Sequence, residues 1–310
     1  MENNQIPVLL ITFNRPQYLI KVLDALKISK VTRLLIFRDG PRPYNQSDIK
    51  ATQKIKDIID QIDWISDLKV NLMQNNLGCG YGPYSAISWA FQYTDKLIIL
   101  EDDCIPVPAF FTFCNKMLYK YENDKRIRLI SGRFPISLPS DYHYDYIFTQ
   151  WAQTWGWATW KRVWDNFDLQ QRDIMPFFNK GGFKNVFPTK TENSFFNSRR
   201  YYTLNEPLHS WDGQFGVHAR MNGELAIVPT KNLIQNIGTE GTHVGNANKL
   251  CYTLSADNSF ECNNEPSVVS VISEIEDKLK PQIYRYEFAK MFVYRFYYYL
   301  KLAFSFNRFS

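Results

Sequence analysis

Three consecutive carboxylates, Glu101, Asp102 and Asp103, follow directly on an aliphatic run in the segment KLIILEDDCIP. The run has no polar alternation and is typical of a strand that is buried on both faces. Like charges in a row repel one another, so either water solvates the cluster or a positive group lies against it. Mg²⁺ and Mn²⁺ take one or two protein carboxylates when substrate phosphates complete their shell. The segment therefore indicates a divalent-cation site for a phosphate-bearing ligand, with an acidic surface turn as the alternative.

Polar or glycine-rich residues also follow the three other predicted strands of the first half. Arg15 could reach a diphosphate oxygen, and Asp39 could accept hydrogen bonds from a base or a ribose. Gly80, in the stretch NNLGCGYG just before the predicted third helix, would let the backbone pass close to a ligand, although the GxGxG spacing is not that of a dinucleotide fingerprint. The alternatives are a surface arginine, a turn-forming aspartate and a flexible turn.

Two further candidates lie in the second half of the chain. Asp212 stands beside a tryptophan in HSWDGQFG, a setting that suits a general base, and a helix N-cap is the alternative. His243, in the glycine-rich loop GTEGTHVG, is a candidate ligand-binding residue. No Ser-His-Asp or Cys-His arrangement stands out in the sequence.

The elements that would position these residues alternate between strand and helix up to about residue 130. Ser47 is the predicted N-cap of the second helix, and the fourth helix is predicted to begin at Pro108. This alternation predicts an α/β fold with a mostly parallel sheet flanked by helices, in which ligands bind at the carboxyl ends of the strands. The strands are predicted over 6–13, 33–37, 68–73, 96–100, 126–132 and 225–229.

Aromatic loops replace the helical periodicity from about residue 131. We therefore predict one domain over 1–250, with a nucleotide-binding half at 1–130 and an acceptor half at 131–250. The extension over 251–310 carries an aromatic stripe beside basic residues, a pattern typical of a helix that lies on an anionic membrane surface. Packing of this helix on the rest of the chain or on a dimer partner is the alternative. The stripe consists of Phe288, Phe292, Phe296 and Tyr299.

The composition limits the class of protein. The 310 residues are 45% hydrophobic, enough for a large core, and the net charge of +5 is modest, so we expect no nucleic-acid partner. The five cysteines are odd in number and lack CxxC spacing, which indicates a reduced, cytosolic chain without a disulfide framework or zinc. No signal peptide and no run of about 18 apolar residues is apparent. We therefore expect a cytoplasmic protein, held peripherally at the inner face of the membrane by its C-terminal helix.

These segments resemble those of nucleotide-sugar-dependent glycosyltransferases of the GT-A (Rossmann-like) fold, in particular the N-acetylglucosaminyltransferase I type and the family 2 enzymes. LLITFNRPQYL resembles the opening strand with its Asp/Asn-Arg segment, and LLIFRDG resembles the strand that ends in a base-contacting acid. LEDDCIPVPAFFTF is similar to the metal motif of the family. TWGWATWKRVW and HSWDGQF resemble its Gly-Trp and Trp-Asp segments, in the same order. Asn14 departs from the pattern, because the nearest relatives carry an acidic residue there.

The resemblance implies a role for each matched residue on the donor side. Asp103 would be the direct ligand of Mn²⁺ or Mg²⁺. Glu101 and Asp102 would hold the ribose and the donor sugar or the metal-bound waters. Asp39 would contact the base, and Arg15 would contact the diphosphate.

On the acceptor side, the resemblance implies that Asp212 deprotonates a hydroxyl for in-line attack at the anomeric carbon, with inversion. His243 would contact the diphosphate or the metal. The implied reaction moves a sugar from a nucleotide-diphosphate sugar, expected to be a UDP-sugar, to a glycan or glycolipid in surface polysaccharide or lipid-linked oligosaccharide synthesis. The alternatives are a non-catalytic sugar- or nucleotide-binding module and a nucleotidyltransferase, a class that typically has a glycine-rich basic loop after strand one.

Overall fold

The computed structural model describes residues 5–170, 186, 211–238 and 254–280. His243 and the aromatic stripe over 288–299 lie outside the described residues. The strands are β1 Val8–Thr12, β2 Arg33–Arg38, β3 Asp67–Leu72, β4 Lys96–Glu101, β5 Cys104–Pro106, β6 Ile127–Ser131, β7 Tyr146–Thr149, β8 Trp157–Trp160, β9 Leu225–Pro229 and β10 Ile234–Asn236. The helices are α1 Pro16–Ile28, α2 Gln46–Ile59, α3 Gly78–Ala90, α4 Pro108–Lys120, α5 Lys161–Trp164 and α6 Asp212–Met221.

Eight strands form one mixed sheet in the order β3-β2-β1-β4-β8-β6-β9-β7, and β5 and β10 form a small antiparallel sheet. The first four strands in this order are all parallel, as is the pair β6 and β9. The remaining pairings, β4 with β8, β6 with β8 and β7 with β9, are antiparallel. The predicted class, an α/β fold with a mostly parallel sheet flanked by helices, is confirmed.

The aliphatic strands form the parallel part of the sheet because helices cover both of its faces. The pairing register places Ile11, Phe37 and Glu101 on one face. Phe37 contacts Trp89 of α3 on that face, with ring centroids 6.3 Å apart. On the opposite face, the indole Nε1 of Trp160 donates to a backbone carbonyl of α4 at 3.0 Å. Glu101 therefore emerges from the sheet on the side of α3.

The sequence analysis missed strand β8, which lies within the stretch that was assigned to aromatic loops. Trp157–Trp160 is only four residues long and buried throughout, too short to show a period. Gly156 precedes it with φ of 68°, and a Cβ there would lie 2.4 Å from Ile234 Cδ1. Because β8 pairs with both β4 and β6, the two predicted halves of the chain share one sheet.

Two local predictions were wrong. Asn45, not Ser47, is the N-cap of α2: its side-chain oxygen accepts from the backbone N–H groups of Ser47 and Asp48, each at 3.1 Å. The glycine-rich stretch was expected to precede the third helix, but α3 begins at Gly78. Gly80 is thus buried in the first turn of that helix. Both errors arise because the first residue of a helix depends on which side chain reaches its free N–H groups.

The described part of the extension packs against the sheet and its flanking helices. Asp145 accepts hydrogen bonds from the backbone N–H groups of Asn263 and Asn264, both at 2.6 Å. A helical segment over 273–280 carries the buried Glu276, which accepts from the backbone N–H of Gln150 at 2.9 Å. Over the described ranges, no helix combines the length and the apolar character needed to cross a membrane.

Candidate functional site

The acidic cluster lies in the turn between β4 and β5, at the carboxyl edge of the parallel strands. The small sheet holds this turn in place, because β5 pairs with β10 and aligns Cys104 with Asn236. The backbone N–H of Ile237 also donates to the carbonyl of Asp103 at 2.8 Å. A segment more than 130 positions away along the chain thereby positions the carboxylates.

The positive group against the cluster is Arg15. Its guanidinium pairs with both Asp102 and Asp103, and Nη1 lies 2.8 Å from Asp103 Oδ2. Burial disfavours the charge of Arg15, but the two carboxylates outweigh this effect and raise its pKa. Asp102 is 2% exposed and also accepts from the hydroxyl of Thr12 at 3.0 Å. Burial raises the pKa of Asp102, and Arg15 opposes that shift. Arg15 therefore compensates part of the charge on the cluster.

Arg15 compensates Glu101 less, because its ion pairs are with Asp102 and Asp103. Burial and the repulsion of Asp103 raise the pKa of Glu101 to about 8, although Arg15 acts in the opposite direction. No hydrogen bond or ion pair to the Glu101 side chain occurs among the residues that the structure describes. Its carboxyl oxygens are therefore available to a ligand or a cation.

Asp39 anchors the start of α3. Its carboxylate accepts hydrogen bonds from the backbone N–H groups of Gly40, Leu77 and Gly78 and from the side chain of Asn76, at 2.8 to 3.1 Å. Burial raises the pKa of Asp39, and the backbone N–H groups oppose that shift. These bonds fix the position of the first turn of α3 beside the carboxyl edge. The role of Asp39 as a base contact stays a prediction.

Asp212 is the first residue of α6 and is exposed. The preceding Trp211 is buried and stacks on Trp157 of β8, with ring centroids 5.5 Å apart and planes inclined by 23°. This stack holds the N-terminus of α6 on the face of the sheet from which Glu101 emerges, since Trp157 pairs in register with Ile99. The charge of Asp212 contributes to the raised pKa of Glu101. The structure therefore brings these two carboxylates, more than 100 positions apart, into electrostatic reach of each other.

Cys79 lies within electrostatic reach of several of these carboxylates, and the sequence analysis did not assign it a role. It is exposed, in the first turn of α3. The surrounding protein partly desolvates its thiol and so raises the thiol pKa, and the charges of Glu101, Asp39 and Asp212 raise it further. Three carboxylates from three separate parts of the chain thus act on one side chain. The only signal in the sequence was the pair of glycines on either side of Cys79.

The carboxylates of the acidic cluster were predicted to bind a divalent cation. Within the described ranges, no three His, Cys, Asp or Glu side chains are arranged to hold one ion. Arg15 donates to Asp103 Oδ2. Among the described residues, Oδ1 has two longer contacts, to Asn236 Nδ2 and Cys104 Sγ, both at 3.4 Å. Asp103 Oδ1 and the carboxylate of Glu101 are therefore the oxygens that could bind a cation. This donor set fits Mg²⁺ or Mn²⁺ only when the phosphates of a ligand complete the shell.

A second polar network, which the sequence analysis also missed, borders the site. Asp48 of α2 is 1% exposed and accepts hydrogen bonds from Arg42 Nε at 2.5 Å and from Asn14 Nδ2 at 2.8 Å. The hydrogen bond from Arg42 lowers the pKa of Asp48. The network ties the loops after β1 and β2 to the start of α2. The network also explains why position 14 holds an asparagine and not an acidic residue. An acidic side chain there would lie against the buried carboxylate of Asp48.

No protein-family model matches the sequence, and no curated protein matches it. Among solved structures, the galactosyltransferase LgtC in complex with donor and acceptor sugar analogues is 8% identical over 71% of this chain and 73% of its own, with a TM-score of 0.36. A UDP-glucose pyrophosphorylase complexed with UDP-glucose is 8% identical over 72% and 89%, with a TM-score of 0.36. HddC from Yersinia pseudotuberculosis complexed with GMP-PN is 12% identical over 52% and 80%, with a TM-score of 0.32. Similarities this low assign the chain to no family, so the α/β class rests on the sheet itself.

Proposed function

We propose that this chain is a glycosyltransferase that moves a sugar from a nucleotide-diphosphate sugar, most simply a UDP-sugar, to a hydroxyl of a glycan or glycolipid. The observation that supports the proposal is the position of Asp212 at the start of α6. The stack of Trp211 on Trp157 holds this end of the helix on the sheet face from which Glu101 emerges. A binding module would need no exposed carboxylate facing the acidic strand end. A transferase needs one, because the acceptor hydroxyl must lose its proton.

On the donor side, Glu101 and Asp103 would hold Mn²⁺ or Mg²⁺ together with the diphosphate. The cation would offset the negative charge that develops on the departing diphosphate. Arg15 pairs with Asp102 and Asp103 and fixes their orientation, so its contact with the diphosphate would supplement this primary role. Asp39 fixes the first turn of α3. In this proposal the backbone at Gly80 would pass close to the donor.

On the acceptor side, the exposed carboxylate of Asp212 accepts the proton of the acceptor hydroxyl as that oxygen attacks the anomeric carbon. A new carbon–oxygen bond forms, the bond from the anomeric carbon to the diphosphate breaks, and the nucleoside diphosphate leaves with the electron pair. Attack from the side opposite the leaving group inverts the anomeric configuration. His243, as a further contact of the diphosphate or the metal, and peripheral membrane binding by the C-terminal stripe both belong to this proposal as predictions.

The donor side is tested by calorimetric titration of the full chain with UDP, with and without Mn²⁺. We expect binding that depends on Mn²⁺ and that Asp103→Asn abolishes. Asp165→Asn is the matched control, because Asp165 is an exposed aspartate paired with Lys161 on the surface. Equal binding of UDP by the Asp103 variant would contradict the assignment.

The reaction class is tested by a screen of nucleotide sugars for donor hydrolysis. Release of a nucleoside diphosphate from one sugar donor supports the proposal. Release of pyrophosphate from a nucleoside triphosphate and a sugar phosphate would instead indicate a nucleotidyltransferase.

A further inference from the structure

The described part of the C-terminal extension follows β7, the edge strand of the main sheet. Just before the strand, the backbone N–H of Asp145 donates to the carbonyl of Asn264 at 2.8 Å. Further along, Phe148 and Val271 form a parallel bridge. The extension thus runs in the same direction as β7, and the helical segment over 273–280 begins where the strand ends.

Glu276 is the residue of this helical segment that contacts the end of β7. It is 6% exposed. Its carboxylate accepts hydrogen bonds from the hydroxyl of Thr149 and from the backbone N–H of Gln150, the second at 2.9 Å. A buried carboxylate is costly unless hydrogen bonds or a cation compensate it. These bonds therefore fix the position of Gln150, where the chain leaves the sheet.

Arg220, a buried residue in the last turn of α6, binds the same short stretch of chain. Its Nη2 donates to the carbonyl of Gln150 at 3.2 Å, and its guanidinium lies over the ring of Trp151. Burial raises the pKa of Glu276, and its hydrogen bonds and the charge of Arg220 oppose that shift. Gln150 therefore connects the extension to α6, through its N–H on one side and its carbonyl on the other.

The two ends of α6 are thus held by different parts of the chain. The stack of Trp211 on Trp157 holds the N-terminus, where Asp212 lies. Arg220 holds the last turn, eight residues or about 12 Å further along the helix axis. A helix of this length moves as a rigid body, so a shift of its last turn also moves its first.

We propose that Glu276 is a positioning residue for Asp212. It holds Gln150, which in turn holds Arg220 and the last turn of α6. The inference rests on the proposed function, because it assumes that Asp212 accepts the proton of the acceptor hydroxyl. Displacement of a catalytic group by about 1 Å can lower a rate by about 100-fold. Within the described ranges, Glu276 bonds to Thr149 and Gln150 and to no residue of the acidic cluster, so donor binding should not depend on it.

The test compares turnover with nucleotide binding in the full chain. Turnover is hydrolysis of the donor found in the screen, in which water replaces the acceptor hydroxyl, and binding is calorimetry with UDP and Mn²⁺. Glu276→Ala removes the charge and both hydrogen bonds, and Glu276→Gln removes the charge alone. The matched control is Glu274→Gln, because Glu274 is an exposed carboxylate of the same helical segment, paired with Lys278.

We expect kcat to fall about tenfold or more in Glu276→Ala and about threefold in Glu276→Gln. The KM for the donor and the affinity for UDP should stay at their wild-type values, and the control should change nothing. Hydrogen exchange of the backbone amides of α6 gives a readout independent of activity: both Glu276 variants should exchange faster there than the control.

A wild-type kcat in Glu276→Gln would overturn the assignment, and this variant decides alone if Glu276→Ala does not fold. Unaltered exchange in α6 would overturn it as well. An equal loss of UDP binding would do the same, because it would indicate a general loosening of the fold. A wild-type chain that hydrolyses no nucleotide sugar would refute the proposed function itself, while the exchange data would still show whether Glu276 holds α6.

Discussion

Arg15 Nη1 donates a hydrogen bond to Asp103 Oδ2 at 2.8 Å, across 88 positions of the sequence. The same guanidinium pairs with Asp102, so one cation from the loop after β1 compensates two of the three consecutive carboxylates after β4. Glu101 keeps its raised pKa. Arg15 thus neutralises part of the negative charge of the cluster, and the remaining carboxylate could bind a further cation.

Arg15→Gln should destabilise the protein by about 3–5 kcal/mol, because it leaves two buried carboxylates without their counter-charge. Urea unfolding measures the loss. Saturating Mn²⁺ should restore part of the stability, since the cation can replace the missing charge. Arg33→Gln, which breaks a partly exposed pair with Asp67, should cost less than about 1 kcal/mol. Equal losses for the two variants would show that the pairing of Arg15 adds little.

Asp212→Asn should lower the rate of sugar transfer by about 10²- to 10⁴-fold, because the amide cannot take the proton of the acceptor hydroxyl. Binding of UDP with Mn²⁺ should be unchanged. Initial rates with the donor found in the screen provide the measurement, and Asp165→Asn serves as the control. A variant that transfers sugar at the wild-type rate would rule out Asp212 as the base.

Asn14→Asp restores the acidic residue expected from the family resemblance, yet we expect it to destabilise this chain. Asn14 donates to Asp48 at 2.8 Å, and an aspartate there would place two carboxylates in contact at a buried site. We expect a loss of about 1–3 kcal/mol at neutral pH that diminishes in acid, when the carboxylates are protonated. Asn14→Ala, which only removes the hydrogen bond, should cost less. Unfolding curves of Asn14→Asp that match the wild type at pH 7 would contradict the expectation.

The pairing of Arg42 with Asp48 should make stability depend on pH. The pKa of Asp48 is lower in the folded chain than its ordinary value of about 3.9, so the pair adds stability above that pH. The contribution is lost as the pH falls through the lower, folded pKa. The difference in unfolding free energy between wild type and Arg42→Gln should therefore be full at pH 7 and narrow below about pH 4. Urea unfolding from pH 7 to pH 3 checks this, and a difference independent of pH would exclude the linkage.

Gly238→Ala should impair Mn²⁺-dependent UDP binding. A Cβ at Gly238 would lie 2.3 Å from Asp103 Oδ2 and 2.9 Å from its Cγ, so the carboxylate would have to move away from Arg15. Gly216→Ala is the matched control, because no described atom beyond its own stretch of helix lies within 4 Å of the added Cβ. Calorimetry with UDP compares the two variants. Intact binding in the Gly238 variant would show that the cation does not depend on the position of Asp103.

The sequence by itself determined the parallel part of the sheet and the location of its polar edge. Aliphatic runs such as Leu97–Leu100 cannot face water, and the polar residues that end them must gather where parallel strands end. These are local properties, so the predicted strand ranges lie close to those of β1, β2, β3 and β4. The helix alternation likewise followed from periodicity alone.

Only the tertiary structure decided which residues meet. Nothing local links Arg15 to Asp103, or Trp157 to Trp211, because each pair is separated by many residues and joined only by the packing of different elements. Strand β8 was missed because a run of four buried residues is too short to show a hydrophobic period.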